Sequence, residues 1–408
     1  MARLDNKVLF FTTSPRTPAK MIPEIGLLCD KFEGKPWNRI TQEQFIDELA
    51  ESSFFEGTGS PSDKAFSARA RINRAPKALG FIDLKPNIAL TDAGRALISG
   101  KRPQEIFLRQ LLKFQLPSPY HTENAKISGT FFVRPYLEVL RLSYDLEYLT
   151  FDELKIFAVQ ITDYHKYEEV KDKILNFRKD KELHRGQYKR FVNDVWANAV
   201  LEIHNDRIAE GRTRTRETRD ASINTFVKTQ KGNMRDYADA CFRYLRFTGL
   251  VSIAHKSRTI SIFDDKKRDV EFILANVNRN PVFVDDEDSY KAHLFDATTP
   301  ELYTDNVENI IDVILRMSEL TRRDLANYDI EALKDLRDNI VAQHKENVIH
   351  EQVAEIKSYA LYSEIIDTFN EIVSDEYYDA PLMFEYNTWR AMTMLDGGKI
   401  KGTFKFDD

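Results

Sequence analysis

The apolar positions of the first hundred residues mostly follow the three- and four-residue spacing of amphipathic helices. This spacing predicts helices over 19–32, 64–79 and 93–99, and the capping-box sequence starting at Thr41 predicts one more. Two short apolar runs on either side of Lys85-Pro86-Asn87 predict a β hairpin. Helix, helix, hairpin, helix is the order of a winged helix-turn-helix, in which the second helix enters a DNA groove.

A second set of elements of the same kind follows further along the chain. The pattern predicts helices at 151–163, 166–180, 187–206 and about 233–247, with a charged segment at 209–224. The runs 250–254 and 258–262 then predict a second hairpin. These elements indicate a second winged-helix-like module.

We therefore expect a mainly α fold with small β hairpins, of the α+β type. Two tandem winged-helix-like DNA-binding subdomains are expected to precede a helical linker whose apolar stripes include Ile310, Ile314 and Phe369. The predicted domains are 1–149, 150–303, the linker 304–375 and a last segment, 376–408.

Several classes of protein are excluded or lose their usual signals. No run of roughly 18 apolar residues occurs, and the start of the chain lacks the features of a signal peptide, so no membrane partner is expected. The two cysteines lie in helical patterns, which favours buried thiols and a cytosolic protein. The sequence contains no P-loop, nucleophile-elbow or dinucleotide-binding glycine motif.

The net charge of −6 conceals an uneven distribution along the 408 residues. Residues 1–258 contain 43 basic and 33 acidic residues, a net charge of +10, whereas residues 259–408 have a net charge of −16. The first part is therefore suited to a polyanionic partner, and the second part is not.

One group of basic residues lies on the second predicted helix of the first module. Residues 64–113 contain eleven basic and three acidic residues. Arg71 and Arg74 are three residues apart and share a helix face, and Lys64, Arg69 and Lys77 extend it. Arginine forks match guanine edges and phosphate oxygens, so we interpret this helix as a DNA-contacting one. The alternative is a solvated basic helix.

A second basic group surrounds the charged segment of the second module. It consists of Arg212, Arg214, Arg216, Arg219, Lys228, Lys231 and Arg235. Arginine alternating with threonine suits a flexible arm along phosphates or in a minor groove, although a solvated linker has the same composition. Arg243 and Arg246 on the following helix are candidates for a groove-facing pair.

A metal-dependent nuclease centre is not complete in the sequence. Hydrolysis assisted by Mg²⁺ needs converging carboxylates beside a lysine, typically as Pro-Asp on one strand and Glu-x-Lys on the next. No Pro-Asp dipeptide occurs, and the three Glu-x-Lys sequences, at 153–155, 169–171 and 355–357, lie in helical patterns.

Several strings of the sequence, taken in order, are similar to those of one enzyme family. They are Ser14-Pro15-Arg16-Thr17-Pro18, Phe32-Glu33-Gly34 with Trp37, Ala65-Phe66-Ser67 with Arg69 and Arg71, Leu90-Thr91 with Ala93-Gly94, Arg102-Pro103 through Gln110 to Pro117-Ser118, and Arg235-Asp236 through Arg243-Tyr244 to Gly249-Leu250. Together they resemble the AlwI family of type IIS restriction endonucleases, including its strand-nicking relatives.

The resemblance implies an N-terminal region that recognises a short asymmetric site in double-stranded DNA. It also implies a helical linker and a Mg²⁺-dependent nuclease domain that cuts outside the site, in a cytoplasmic prokaryotic enzyme. Arg16 then joins the DNA-binding candidates. Residues 376–408 resemble the start of the nuclease domain, with Glu385 as its first catalytic and metal-binding carboxylate.

The family pattern continues through a Pro-Asp strand that this sequence does not contain. We therefore expect the 408-residue chain to bind DNA as a monomer without cutting it and without binding Mg²⁺ tightly. A transient dimer for cutting both strands is a further expectation.

Two other functions fit the same residues. One is a winged-helix transcriptional regulator, for which we expect a stable dimer and a palindromic footprint. The other is a large subunit that cuts only with a separate nuclease subunit.

Overall fold

The computed structural model describes residues 2–4, 7–55, 61–123, 129–215, 217–254, 259–356, 362–374 and 380–395. The chain divides into two compact units. The first unit comprises residues 1–252 and 260–301, and the second comprises residues 253–259 and 302–408. The four predicted domains are finer than this division and stay predictions.

Helices dominate the described residues. The helices up to residue 301 are α1 Met21–Phe32, α2 Arg39–Glu51, α3 Lys64–Ile72, α4 Ala75–Ala78, α5 Asp92–Ile98, α6 Pro103–Lys113, α7 Pro135–Asp145, α8 Phe151–Ile156, α9 Tyr167–Leu183, α10 Tyr188–Ile203, α11 Asn205–Ala209, α12 Ile223–Phe247, α13 Lys267–Asn276 and α14 Glu287–Phe295. Those that follow are α15 Val307–Met317, α16 Ile330–Ile356, α17 Tyr362–Val373 and α18 Ala380–Leu395.

The strands are short and form small sheets. They are β1 Ala2–Leu4, β2 Ile82–Asp83, β3 Ala89–Leu90, β4 His121–Glu123, β5 Tyr148–Thr150, β6 Val251–Ala254 and β7 Thr259–Ile262. β1 pairs in parallel with β4, β2 pairs antiparallel with β3, and the third sheet has the order β5-β7-β6. The expectation of a mainly α fold with small β elements is therefore confirmed.

Two predicted helix boundaries of the first module are wrong. Asn38, not Thr41, is the N-cap of α2, and Thr41 returns the capping hydrogen bond from the third helical position. The predicted helix 64–79 is broken between α3 and α4, where Arg74 leaves the helical region with φ −82° and ψ −106°. Pro76 follows in the first turn of α4, where its missing N–H costs no hydrogen bond.

The predicted hairpin and the helix after it are present, and one glycine fixes their packing. Thr91 caps α5 by accepting a hydrogen bond from the Gly94 N–H at 3.0 Å, and its hydroxyl donates to the Gly80 carbonyl at 2.6 Å. A Cβ at Gly94 would lie 2.0 Å from the carbonyl oxygen of Phe81. Only glycine therefore allows α5 to approach the β2–β3 hairpin so closely.

The most extensive helix of the second module is α12. It begins ten residues earlier than predicted, at Ile223, where Ser222 caps it. One face of α12 is buried, and there Tyr244 stacks near Tyr136 and contacts the ring of Phe107. The opposite face of α12 stays accessible to solvent.

Buried polar side chains of α6 and its neighbours hold the backbone of residues 280–300. Lys113 donates to the carbonyls of His293 and Asp296, and Gln110 donates to that of Leu294. These carbonyls belong to the C-terminal end of α14, where helix hydrogen bonds are lacking and a cation is favourable.

The second unit has its own small cores. Ile310, Ile314, Leu325 and Leu333 form one cluster between α15 and α16, and Ile372 packs on Met383 between α17 and α18. The stripe of Ile310 and Ile314 predicted from the sequence is thus the core of a helix pair. No helix in the described ranges is both long enough and apolar enough to cross a membrane.

Candidate DNA interface

The exposed face of α12 carries a row of basic side chains. Lys228, Arg235, Arg243 and Arg246 are spaced by seven, eight and three residues, which places them on one side of the helix. At 1.5 Å per residue, the row from Lys228 to Arg246 is about 27 Å long. This length matches about eight base pairs at 3.4 Å each.

Two acidic residues interrupt this row near its C-terminal half. Asp239 accepts a hydrogen bond from Arg243 Nε at 2.9 Å, one helical turn away. Asp236 lies on the same side and is 3.6 Å from Arg235. These pairs keep Arg235 and Arg243 close to the helix surface with carboxylates beside them, so the face has donors and acceptors as well as positive charge.

The N-terminal segment brings Arg16 next to this part of α12. A pocket of about 200 Å³ is lined by Thr13, Arg16, Asp236, Asp239, Ala240 and Arg243. The segment is fixed there because Tyr244 of α12 donates to the carbonyl of Pro15 at 2.9 Å. Arg16 is exposed. The fold thus brings together two predicted candidates, Arg16 and Arg243, that are far apart in the sequence.

Arg74 reaches the same place from the break between α3 and α4. Its guanidinium is 3.4 Å from the Thr13 hydroxyl, and the Ala75 N–H donates to the Ser14 carbonyl at 3.3 Å. Arg74 is exposed. We call Thr13, Arg16, Arg74, Asp239 and Arg243 the junction cluster, because three separate stretches of sequence meet in it.

Two other candidates of α3 are engaged inside the protein. Arg71 forms an ion pair with Glu24 of α1, which is only 3% exposed, and lies over the ring of Phe55 at 5.7 Å. Arg69 donates to the side chain of Gln42 at 2.8 Å. The prediction that Arg71 and Arg74 share one helix face is therefore wrong, because Arg74 lies after the end of α3 while Arg71 is half-buried against α1.

The remaining candidates on this side have weaker attachments. Lys64 pairs with Asp47 on the surface, where such pairs contribute little stability. Lys77 lies over the ring of Tyr120 at 4.6 Å, and burial lowers its pKa. Lys64 can therefore exchange its pairing with Asp47 for one with a phosphate, whereas Lys77 is partly buried.

The arginine-threonine segment forms a closed loop. Thr213 is 5% exposed and its hydroxyl donates to the Ala221 carbonyl, so the two ends of the segment are joined. Arg212 pairs with Glu210, while Arg214 and Arg219 are exposed. Arg216 lies outside the described residues. The sequence favoured a flexible arm, but this loop is anchored just before α12 begins.

Lys231 is placed differently from its neighbours on α12. It donates to the side chain of Asn193 on α10 and lies 4.6 Å from the ring of Trp196. Burial lowers its pKa, and the charge of Lys155 acts in the same direction. Lys231 therefore attaches α12 to α10.

Glu385 is exposed on α18 of the second unit. In the part of the chain that the structure describes, no three His, Cys, Asp or Glu side chains are arranged so that they could hold a metal ion. Mg²⁺ is usually held by one or two carboxylates together with waters and substrate phosphates, so Glu385 alone is at most one of its protein ligands.

Comparison with known proteins identifies the family. A sequence model described as AlwI restriction endonuclease matches residues 77–406, which is most of the chain. The chain belongs to the AlwI restriction endonuclease family. No curated protein matches this AlwI-family chain. A solved structure of pyrene- and phenanthrene-modified DNA with the BpuJ1 endonuclease binding domain is similar at 16% identity and a TM-score of 0.40. The match covers 68% of this chain and 90% of that one.

Several strings that carry the family resemblance have a structural role in this AlwI-family protein. Glu33 accepts a hydrogen bond from the Leu90 N–H, and the Gly34 N–H donates to the Ile88 carbonyl, so this string docks the hairpin. Gln115 donates to the Val282 carbonyl and accepts from the Val282 N–H. Resemblance alone therefore does not separate interface residues from packing residues.

Sequence reasoning missed some residues of the exposed surface in this AlwI-family protein. Asp236 and Asp239 give no signal of a DNA interface because only positive charge is expected there, although the helical pattern shows that they lie near Arg243. Phe66 and Asn73 were missed because an exposed aromatic and an exposed amide have no distinguishing signal in one sequence.

Proposed function

We propose that the first unit recognises a short asymmetric sequence in double-stranded DNA, as the reading part of a type IIS or nicking restriction endonuclease. The observation that carries this proposal is the basic row of α12 with the junction cluster beside it. The complete activity would hydrolyse phosphodiester bonds outside the recognised site.

Charge alone would hold DNA on this surface without reading it. Contacts from lysine and arginine to phosphates are independent of sequence and fix the position of the protein on the duplex. Lys228 and Arg235 are exposed and lie toward the N-terminal part of the row, so we assign them to phosphates.

The junction cluster supplies the groups that distinguish bases. An arginine fork matches guanine O6 and N7, and an aspartate accepts from cytosine N4. Arg243 Nε and an Asp239 carboxylate oxygen are 2.9 Å apart, so an arginine fork and an acceptor lie side by side in this cluster. Arg16 and Arg74 complete the surface from two other segments.

The arrangement of α2, α3, α5 and the β2–β3 hairpin supports a winged-helix module in this proposal. In such modules the second helix, here α3, enters the major groove. A single copy of the chain has no twofold symmetry, so the footprint is expected to be asymmetric and the bound species a monomer.

Mg²⁺-dependent hydrolysis, with Glu385 as one metal ligand, is proposed only because the chain belongs to this family. We expect the 408-residue chain to bind without cutting. Supercoiled plasmid incubated with the chain and Mg²⁺ should stay supercoiled. Nicking that disappears in Glu385→Gln would contradict this expectation.

The DNA-binding part is tested by fluorescence anisotropy with a labelled duplex pool over a salt series. Each phosphate contact adds about 0.9 to the steepness of the log–log salt dependence, so several contacts should give a steep slope. The variant Lys228→Gln/Arg235→Gln, which removes the two assigned phosphate contacts, should bind the pool more weakly. Equal binding of this variant and the parent would contradict the proposed surface.

A further inference from the structure

Phe66 and Asn73 are exposed on one side of α3, with the half-buried Ala70 between them, and Asn73 is the C-cap of this helix. Their spacing of four and three residues places them on one face, while Ala65, Ala68 and Ile72 bury the other. Phe66 is 58% exposed. Scattered exposed apolar residues are ordinary, so Phe66 by itself indicates no partner. The polar and charged groups around Phe66 do indicate a partner.

Asn73 is held in one orientation. Trp37 Nε1 donates to Asn73 Oδ1 at 2.7 Å, and the Trp37 ring packs edge-on against the buried Phe45 with centroids 6.1 Å apart. Because the oxygen of the amide accepts from Trp37, its NH₂ group is the part left to face solvent. Asn73 thus offers two fixed donors on the same side of α3 as the exposed ring of Phe66, seven residues further along the chain.

The charge around this row suits an anion. Arg74 is exposed just after the C-terminal end of α3 and supplies the positive charge at that end. At the N-terminal end Lys64 pairs with Asp47 of α2, so this pair adds no net charge, and Glu43 of α2 pairs with Arg39. An occupant must therefore combine negative charge, an apolar spot and hydrogen-bond acceptors.

The major groove of DNA has this combination. Thymine presents its C5 methyl group there, and guanine N7 and O6 and thymine O4 are acceptors. Phenylalanine is one of the side chains that contact the thymine methyl group. The major groove is about 12 Å wide, so an α-helix fits into it, and phosphates line both edges of the groove.

We propose, resting on the function proposed above, that Phe66 packs on the methyl group of one thymine in the recognised site. Asn73 donates to a base acceptor two to three base pairs away. This separation follows because seven residues of a groove-entering helix cover about three base pairs. Trp37 is a positioning residue for Asn73.

The test replaces each thymine of the selected site by deoxyuridine, one position at a time. Burial of one methyl group gives about a fourfold change in affinity, so one substitution should weaken binding of the parent about fourfold. The variant Phe66→Ala should bind the thymine duplex more weakly and be insensitive to deoxyuridine at that position. Phe66 is exposed, so this variant is expected to fold.

A matched control is Leu183→Ala, which removes another exposed apolar side chain, on α9. It should retain the sensitivity of the parent to deoxyuridine. Asn73→Ala should relax the base preference two to three positions from that thymine, and Trp37→Phe should relax the same position because it removes the N–H donor while keeping an aromatic ring.

The outcomes separate this inference from the function it rests on. If the parent prefers one sequence but no deoxyuridine position is coupled to Phe66, the assignment of Phe66 is wrong. If Asn73→Ala relaxes no position, the assignment of Asn73 is wrong. If Trp37→Phe leaves unchanged the position that Asn73→Ala relaxes, the positioning role of Trp37 is wrong. If the parent has no sequence preference at all, the proposed function fails first.

Discussion

The guanidinium of Arg71 neutralises a carboxylate that lies inside the first unit. Burial raises the pKa of Glu24, and the charge and hydrogen bond of Arg71 oppose that rise. One oxygen of Glu24 has no hydrogen-bond partner among the described residues, so the carboxylate depends on Arg71. The pair ties α3 to α1.

Replacement of Arg71 by alanine is therefore expected to reduce stability. A buried group left without its hydrogen-bond partner costs about 1–3 kcal/mol, and more if it is charged. The pKa of Glu24 is above its unfolded value, so its carboxylate destabilises the fold at neutral pH and this penalty falls as pH drops. Urea unfolding at about pH 8 and pH 5 should show a smaller loss at the lower pH.

The double variant Glu24→Gln/Arg71→Ala is the control, since it removes the charge that Arg71 serves. It should recover much of the lost stability. If Arg71→Ala unfolds like the parent and changes the base preference instead, Arg71 reads DNA and its structural assignment is wrong.

Lys113 is a second residue with a measurable electrostatic effect. It is fully buried, and this burial lowers its pKa to about 7, with Asp296 opposing the shift. The unfolded chain holds the proton up to the ordinary lysine pKa near 10.5. Between these two values the unfolded state binds more protons, so the stability of the fold rises with pH.

The variant Lys113→Met tests this, because methionine has similar length and no charge. The free energy of unfolding of the parent, relative to that of the variant, should increase between about pH 6.5 and pH 9.5. A constant difference between the two proteins across this range would show that Lys113 keeps its proton throughout.

At the scale of elements, α12 gives the clearest expectation. Lys228→Gln and Arg235→Gln should each lower the salt slope by about 0.9 and weaken binding to all sequences alike. Lys179→Gln removes an exposed charge of α9 and should leave the slope unchanged. Sequence-dependent losses in the two α12 variants would move these residues from phosphates to bases.

Most elements could be predicted from the helical spacing, but some boundaries could not. The first turns of α12 bury Phe226, and the next buried position is Met234. A gap of eight residues gives no amphipathic signal, so that part of the helix depends on packing against α10. The break at Arg74 was similarly hidden within an otherwise apolar helical pattern.

The sequence predicted which residue types form the candidate site. It did not predict which of those side chains are exposed to DNA and which are bound to other residues of the protein. Gln42 and Glu24, which engage Arg69 and Arg71, lie 27 and 47 residues earlier in the chain. No local pattern reveals such partners. The meeting of Arg16, Arg74 and Arg243 likewise depends on the tertiary fold, which the sequence did not predict.

At the scale of the whole molecule, the basic and acidic parts of the sequence can be assigned to parts of the structure. The net charge of +10 falls on residues 1–258, which include α3, α12 and the junction cluster. Residues 259–408 have a net charge of −16, and they include every helix described for the second unit. The total of −6 is therefore no argument against a DNA partner.

The central claim is that one copy of this chain reads an asymmetric DNA sequence. It is tested most directly by selecting bound duplexes from a random pool at a stated salt concentration and measuring the stoichiometry of the complex. The account predicts one short non-palindromic sequence bound by a monomer. A palindromic sequence bound by a stable dimer, or no enriched sequence, would contradict it.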